Sequence, residues 1–457
     1  MSAELQARLD AWQKRQAGSL ASFSPVTMRG RIQRVNGMLL QCRLPQARIG
    51  DLCQVEKKPG DYMLAEIIGF DQQDAVLSAL GNLEGVQVGA GVERLGVSHR
   101  VQVSEALLGQ VLDGFGRPIT GEGASAFVET HVSDSSAVLC EAPLPTERPR
   151  INRALATGVR SIDGLLTLGE GQRVGLFAGA GCGKTTLLAE IARNVDCDVI
   201  VFGLIGERGR ELREFLDHEL DEQLRSKAVL VCATSDRSSM ERARAAFTAT
   251  ALAEGFRRKG KRVLLLIDSL TRFARAQREI GLAAGEPLGR GGLPPSVYSL
   301  LPRLVERAGL TRDGVITAIY TVLIEQDSMN DPVADEVRSL LDGHIVLSRK
   351  LAERGHYPAV DVLASLSRIL SNVAEPADIH AGTALRRLLS AYQQIELMLK
   401  LGEYQPGSDA LTDLAVDSRQ AVDGFLRQDL REPASMETTL EYLKELTANV
   451  PFGRAAR

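Results

Sequence analysis

The sequence has few of the features that mark membrane-spanning or polyanion-binding proteins. No apolar run reaches the ~18 to 20 residues that cross a bilayer as a helix. The N-terminal residues show no basic stretch leading into an apolar one, so we expect no secretory signal. The net charge is -4 across 457 residues, which gives no support to a global role in binding nucleic acids or other polyanions.

Cysteine is scarce and scattered. The six cysteines form no CxxC pair and are not interleaved with histidine. A zinc site is therefore disfavoured, and separate reduced thiols are typical of a cytosolic protein. They stand at Cys42, Cys53, Cys140, Cys182, Cys197 and Cys232.

The length of the chain favours more than one domain. Residues 1–24 are predicted to form an amphipathic segment, with Leu5, Leu9 and Trp12 at helical spacing. Such a segment lies on a membrane surface, docks on a partner, or packs on its own protein. The residues leave these three alternatives open.

Residues 25–95 change to short strand-like runs that end at glycines such as Gly50 and Gly60, which predicts a small β-barrel domain. Barrels of this size often bind single-stranded nucleic acid by stacking bases on aromatic side chains. This stretch offers only Tyr62 and Phe70, so a structural role is favoured.

Residues 96–375 alternate apolar runs with helical stretches. Near-continuous apolar runs are what a parallel sheet covered on both faces requires, so an α/β domain is predicted. The strand signals stop near residue 376, and the helical spacing of Leu385, Leu388 and Tyr392 predicts a helical domain over residues 376–457. The candidate strands are Arg173–Phe177, Val199–Ile205, Ala228–Cys232, Val263–Ile267 and Val315–Tyr320.

A glycine-rich loop follows the first of these strands and leads into helical sequence, which is the setting of a phosphate-binding loop. Glycines let backbone N–H groups turn toward the phosphates, and the helix N-terminus adds partial positive charge. Lys184 is expected to reach the β- and γ-phosphates of a nucleotide, and Thr185 to bind Mg²⁺. The loop begins at Ala178, where the usual pattern has glycine. The expected nucleotide contacts are Gly179, Ala180, Gly181, Cys182, Gly183, Lys184, Thr185 and Thr186.

Two carboxylates are candidates for the hydrolytic chemistry. Asp268 ends an apolar strand and is expected to hold Mg²⁺ through water. Glu207 follows the strand Val199–Ile205, at the strand end where open α/β sheets place their chemistry, and is our candidate for orienting the attacking water. The expected base is adenine, because the [NT]KxD signature of guanine-binding proteins is absent.

Several sequence blocks together resemble the type III secretion and flagellar export ATPases, which are relatives of the rotary ATP synthase subunits. The resemblance runs from about residue 25 to 430. The blocks are Leu108–Pro118, Thr157–Asp163, Gly169–Val174, Gly206–Glu211, Asp268–Arg275, Pro294–Arg303, Asp335–His344 and Gly355–Asp361.

The resemblance implies a RecA-like P-loop ATPase core with an N-terminal β-barrel and a C-terminal helical domain. It implies a homohexameric ring with nucleotide at each subunit interface. Arg368 is then an arginine finger that reaches a neighbour's γ-phosphate, and Arg208 is a further catalytic candidate. Tyr357 would stack on adenine, and Phe425 would close the same pocket.

The family also implies partners and a location. The stretch Gly285–Pro295 would line the pore and engage a central stalk, although Leu288 to Leu293 depart from the commoner form. A stator or peripheral-stalk protein, secretion chaperones and effector proteins are further expected partners, at the cytoplasmic face of the inner membrane. The implied cofactors are ATP and Mg²⁺, and the implied activity is ATP hydrolysis coupled to protein export.

Four alternatives remain. A flagellar export ATPase is separated from an injectisome ATPase only by the form Ala-Gly-Cys-Gly-Lys-Thr, which favours the injectisome. A rotary ATP synthase-type catalytic subunit fits less well because of Gly209. A Rho-like RNA translocase would need an aromatic RNA-binding barrel, and RNA-stimulated hydrolysis would reveal it. A nucleotide-gated protein that docks chaperones without turnover is disfavoured by the intact candidate residues.

Overall fold

A computed structural model describes residue 12 and residues 29–119, 135–324, 331–407 and 409–451. Two compact units divide the chain, Met1–His99 and Arg100–Arg457. The predicted amphipathic segment over residues 1–24 lies outside the described residues, apart from Trp12. Within the described ranges, no helix combines the length and the apolar character needed to cross a membrane.

The first unit contains the closed β-barrel that the sequence predicts. Its strands are β1 Arg29–Asn36, β2 Leu39–Arg43, β3 Asp51–Lys58, β4 Asp61–Asp71, β5 Asp74–Ala79 and β6 Gly91–Ser98. They pair antiparallel in the order β1-β2-β5-β4-β3-β6, and β6 returns to β1. Leu40, Val55 and Leu77 are fully buried among the inward-facing side chains, so the barrel has an apolar core of its own.

A tight turn joins β3 to β4. Gly60 has a φ of 85° there, a backbone conformation that residues with a Cβ rarely adopt. The preceding Pro59 has a fixed φ that suits such a turn. This local chemistry explains why the two strands form a hairpin at this point.

The second unit is built on a mainly parallel sheet. Its strands are β7 Arg100–Gln102, β8 Val111–Leu112, β9 Ser135–Ala137, β10 Ala154–Leu155, β11 Leu168–Gly169, β12 Arg173–Ala178, β13 Val199–Ile205, β14 Ala228–Ala233, β15 Arg262–Asp268, β16 Gly309–Leu310, β17 Val315–Leu323, β18 Gly343–Leu347 and β19 Leu366–Ser367. The main sheet has the order β19-β18-β12-β17-β15-β13-β14-β8, with β16 added on β17. Strands β18 to β8 along this order are parallel, and β19 and β16 pair antiparallel.

Helices cover both faces of the sheet. They are α1 Arg160–Asp163, α2 Lys184–Asn194, α3 Gly209–Glu214, α4 Glu222–Ser226, α5 Ser239–Arg258, α6 Leu270–Ala283, α7 Pro295–Val305, α8 Pro332–Leu340, α9 Arg349–Glu353, α10 Leu370–Val373, α11 Pro376–Leu401, α12 Ala410–Asp417, α13 Arg419–Leu426 and α14 Met436–Thr447. Single turns of 3₁₀-helix occur at Glu105–Leu107, Pro145–Glu147 and Arg290–Gly292, and a π-helical turn at Phe215–Glu219.

Successive residues of one strand point to opposite faces of the sheet and pack in two separate apolar cores. Phe177 of β12 packs in the core that contains α5 and α6, whereas Leu176 packs in the core that contains α2 and the C-terminal helices α11 to α14. Both side chains are fully buried. The sheet is therefore covered on both faces, which explains why its strands read as continuous apolar runs.

A buried ion pair joins three segments of the second unit. Arg307 follows α7 and is 0% exposed. Its Nε donates to Oε1 of Glu254 on α5 at 3.0 Å, and its Nη2 donates to Oε2 at 2.5 Å. Its Nη1 donates to the carbonyl oxygen of Val138, just after β9, at 2.7 Å. The guanidinium thus replaces its lost water with charge-assisted hydrogen bonds.

We predict that Glu254→Gln lowers the free energy of unfolding of the second unit by about 3–5 kcal/mol, because it leaves the buried Arg307 charge uncompensated. The matched control is Glu214→Gln, which removes the partner of Arg210 in an ion pair whose side chains are 86% and 54% exposed. That change is expected to cost no more than ~1 kcal/mol. Urea unfolding of both variants measures the difference, and equal midpoints would contradict the prediction.

Candidate nucleotide-binding site

The predicted phosphate loop lies between β12 and α2. The strand ends at Ala178, and the helix begins at Lys184. Gly181 and Gly183 both have a φ of 80°, so the turn uses conformations that favour glycine. The N–H groups at the start of α2 have no partner within the helix, and such a terminus attracts anions.

Lys184 lies beside both candidate carboxylates. Its Nζ donates to Oδ1 of Asp268 at 2.5 Å and lies 3.8 Å from Oε1 of Glu207. Asp268 is 3% exposed, and the same Oδ1 accepts a hydrogen bond from the Thr321 hydroxyl at 2.7 Å. Residues from three separate parts of the sequence therefore form one charged cluster.

Glu207 is held by an arginine that the sequence analysis did not single out. Arg272 of α6 forms an ion pair with Glu207 through Nη1 and Oε1. The Ser269 hydroxyl accepts a hydrogen bond from the backbone N–H of Arg272 as the N-cap of α6, so the helix begins at Leu270, two residues after Asp268. The available signal was its place in the block Asp268–Arg275, four residues after the candidate carboxylate Asp268.

A cavity of about 510 Å³ lies beside this cluster and is lined by Thr185, Glu207, Glu211 and Asp268, among others. A hydrogen bond with Glu207, together with the charges of Arg208 and Arg272, lowers the pKa of the Glu211 carboxyl. The cavity wall thus carries carboxylate and hydroxyl oxygens, the ligands that hard divalent cations prefer.

A second cavity, of about 640 Å³, also borders the loop, and we call it the base cavity. Gly181, Cys182, Gly183 and Thr186 line it from the loop. Tyr357 lines it from the opposite side and is 45% exposed. A Cβ placed on Gly183 would lie 3.6 Å from the Tyr357 ring, so the ring stands directly against the loop.

The prediction that Phe425 closes this cavity is wrong. Phe425 is 0% exposed and packs edge-on against the Tyr442 ring, 5.4 Å between centroids. Its position on α13 directs it into the core beside Gly164. The cavity is lined instead by the four residues after this helix, which were not predicted: Arg427, Gln428, Asp429 and Leu430.

Both predicted arginines are exposed, and each contacts a group other than Glu207 and Asp268. Arg368 follows the edge strand β19, is exposed, and donates through Nη2 to the Arg338 carbonyl oxygen at 3.3 Å. Among the described residues it lines neither of the two cavities. Arg208 is also exposed and pairs with Glu211 at 3.3 Å.

Family comparisons cover most of the chain. Residues 32–96 match the β-barrel domain of the ATP synthase alpha/beta family, and residues 158–367 match its nucleotide-binding domain. Residues 374–445 match the T3SS EscN ATPase C-terminal domain. The RecA-like P-loop core with a β-barrel before it and a helical domain after it is thereby confirmed.

Individual relatives narrow the assignment. The "Type 3 secretion system ATPase" of Pseudomonas syringae pv. tomato is 65% identical over 98% of this chain and 100% of its own. The "Flagellum-specific ATP synthase" of Bacillus subtilis is 44% identical over 92% of this chain and 95% of its own. The chain is therefore more similar to this secretion ATPase than to this flagellar enzyme.

Solved structures agree with this. The assembled ATPase EscN of the enteropathogenic E. coli (EPEC) type III secretion system matches with a TM-score of 0.85 and 45% identity, over 92% of this chain and all of that chain. EscN in complex with its central stalk EscO matches with a TM-score of 0.83 and 44% identity over the same shares. The chain belongs to the type 3 secretion system ATPases of the ATP synthase alpha/beta family, and it is an ATPase.

Proposed function

We propose that this chain hydrolyses ATP at the Lys184 cluster as the motor subunit of a type III protein export apparatus. The observation that carries the proposal is the approach of the Lys184 ammonium to Asp268 at 2.5 Å and to Glu207 at 3.8 Å. A strand-end aspartate beside a P-loop lysine is the arrangement that phosphoryl-transfer sites use.

The triphosphate binds along the loop from Gly179 to Thr186, where backbone N–H groups and the α2 terminus favour negative charge. Lys184 exchanges its contact with Asp268 for phosphate oxygens. Glu207 accepts a hydrogen bond from the attacking water and orients it toward the γ-phosphorus. Arg272 holds the Glu207 carboxylate in place for this task.

Mg²⁺ fits the oxygen groups of the smaller cavity. Thr185 and Asp268 both line this cavity, and both present oxygen ligands. When bound, the ion neutralises charge on the phosphate oxygens.

The adenine occupies the base cavity against the Tyr357 ring. The cavity is bordered by the loop glycines, and its volume of about 640 Å³ is within the usual range for a small-molecule site. Tyr357 is half exposed and lines this cavity, so a flat base can stack on its ring.

Arg368 completes the site of a neighbouring subunit. It is exposed on the edge of the sheet and does not contact Lys184 in the described chain. A guanidinium supplied by a neighbour counters charge that develops on the transferring phosphoryl group. The proposed assembly is a homohexameric ring, in keeping with the assembled relative EscN.

We assign the barrel to residues 25–95, the ATPase domain to 96–375 and the helical domain to 376–457.

Gly285–Pro295 faces the pore and a central stalk protein, as EscN has a central stalk in EscO. The ring works at the cytoplasmic face of the inner membrane, where residues 1–24 contact the membrane or a stator protein. It releases chaperones and feeds effector proteins into the export channel. The 65% identity with a secretion ATPase supports the injectisome over the flagellum.

We predict that Lys184→Ala and Glu207→Gln each lower kcat for ATP by at least about 100-fold, because one loses the phosphate-binding ammonium and the other the water-orienting carboxylate. Glu207→Gln should still bind ATP. Phosphate release assays and fluorescent-nucleotide binding measure the two effects. Glu441→Gln, the same change at an exposed position of α14, should retain wild-type activity. Wild-type rates in both site variants would refute catalysis at this cluster.

We predict that Arg368→Ala lowers kcat by about 10³-fold or more with little change in ATP affinity, because the finger acts in the transition state. Mixing Arg368→Ala subunits with Lys184→Ala subunits should restore part of the activity, since some interfaces then combine an intact loop with an intact arginine. The specific activity of the wild type should rise with protein concentration. Full activity of Arg368→Ala alone would contradict the assignment.

We predict that Tyr357→Ala raises KM for ATP roughly tenfold, whereas Tyr357→Phe leaves it unchanged, because stacking needs the ring and not the hydroxyl. Steady-state kinetics of both variants provide the measurement. A loss that is equal in the Phe and Ala variants would exclude stacking as the role of this residue.

A further inference from the structure

Gln428 lies in the wall of the base cavity, two residues after the end of α13. Its side-chain Nε2 donates to the carbonyl oxygen of Gly158 at 2.7 Å and to that of Glu432 at 2.8 Å. Its Oε1 accepts the Arg160 N–H at 2.9 Å. A primary amide has two N–H donors, so none is left to recognise a base.

The backbone of the same residue contacts Tyr357, the residue proposed to stack on adenine. The Gln428 N–H donates to the carbonyl oxygen of Tyr357 at 3.0 Å. One residue thus ties together the Gly158–Arg160 segment, the Tyr357 segment and the chain up to Glu432. These are three of the segments that form or support the walls of the base cavity.

The junction is reinforced next to Gln428. The Arg160 guanidinium donates to the carbonyl oxygens of Phe425 at 2.9 Å and Gly424 at 3.2 Å. These carbonyls lie in the last turn of α13, where backbone acceptors lack intrahelical donors. The wall is therefore anchored by hydrogen bonds on both sides of Gln428.

We infer that Gln428 is a positioning residue for the nucleotide base: it holds Tyr357 against the phosphate loop so that the base cavity keeps its width. The inference rests on the proposed function, because it takes the base to lie in this cavity. The loop comes from the sheet and Arg427–Leu430 from the C-terminal helices, so the spacing between these walls depends on the bonds that cross between them. Stacking on an aromatic ring requires that spacing to match the thickness of a base.

The test is Gln428→Glu, which keeps the size of the side chain, removes both N–H donors and places a carboxylate against two carbonyl oxygens. We expect a roughly tenfold higher KM for ATP, because two hydrogen bonds that hold the cavity wall are lost. We expect kcat to stay unchanged, because bound ATP and the transition state lose the same binding free energy. Inhibition by inorganic tripolyphosphate, which has no base, should be unaffected. Gln394→Glu, on an exposed part of α11, is the control with the same charge change and should behave as the wild type.

A double-mutant cycle adds a readout that a general loss of structure would not produce. Gln428→Glu combined with Tyr357→Ala should raise KM no further than Tyr357→Ala alone, because both changes remove the same stacking contact. If Gln428→Glu does not fold, Gln428→Met provides a neutral variant of similar length for the same measurements.

Two results would overturn the inference: an unchanged KM in the Gln428 variants, or a tripolyphosphate inhibition constant that rises together with KM. Failure of the proposed function is distinguishable, because the wild-type chain itself would then not hydrolyse ATP.

Discussion

The contact between Lys184 and Asp268 depends on the parallel register of neighbouring strands. Ala178 at the end of β12 pairs with Leu323 of β17, and Ile267 of β15 pairs with Tyr320 of the same strand. β17 lies between the loop strand and the aspartate strand, and its Thr321 donates to Asp268. Since all three strands run in one direction, their carboxyl ends meet at one edge, and residues far apart in sequence form one cluster there.

This arrangement requires a sheet that is buried on both faces and resists distortion. The two apolar cores on either side of β12 provide the burial. The hydrogen bonds of Arg307 with Glu254 and Val138 link α5, the segment after α7 and the segment after β9. The buried guanidinium needs these particular acceptors in hydrogen-bonding geometry. The ion pair therefore favours one packing of these segments over alternatives.

The base cavity is built differently from the phosphate site. Its floor is the loop between β12 and α2, but its outer wall comes from the chain after α13. Hydrogen bonds through Gln428 and Arg160, rather than strand pairing, connect that wall to the core. The two cavities therefore owe their walls to two separate kinds of interaction, hydrogen bonding across segments and strand pairing.

Local chemistry made the loop, the barrel and the parallel sheet predictable, because glycine spacing and apolar periodicity act over short stretches of sequence. The strand before Gly179 and the helix after Lys184 are such features, and so is the carboxylate at the end of Val263–Ile267. Phe425 was misplaced because the sequence does not show which face of a helix meets the core. Arg272 and Gln428 were missed because their roles come from partners distant in sequence, Glu207 and Gly158. The sequence by itself determined which chemical groups are present, whereas the tertiary structure decided which of them meet, since only packing sets distances between segments.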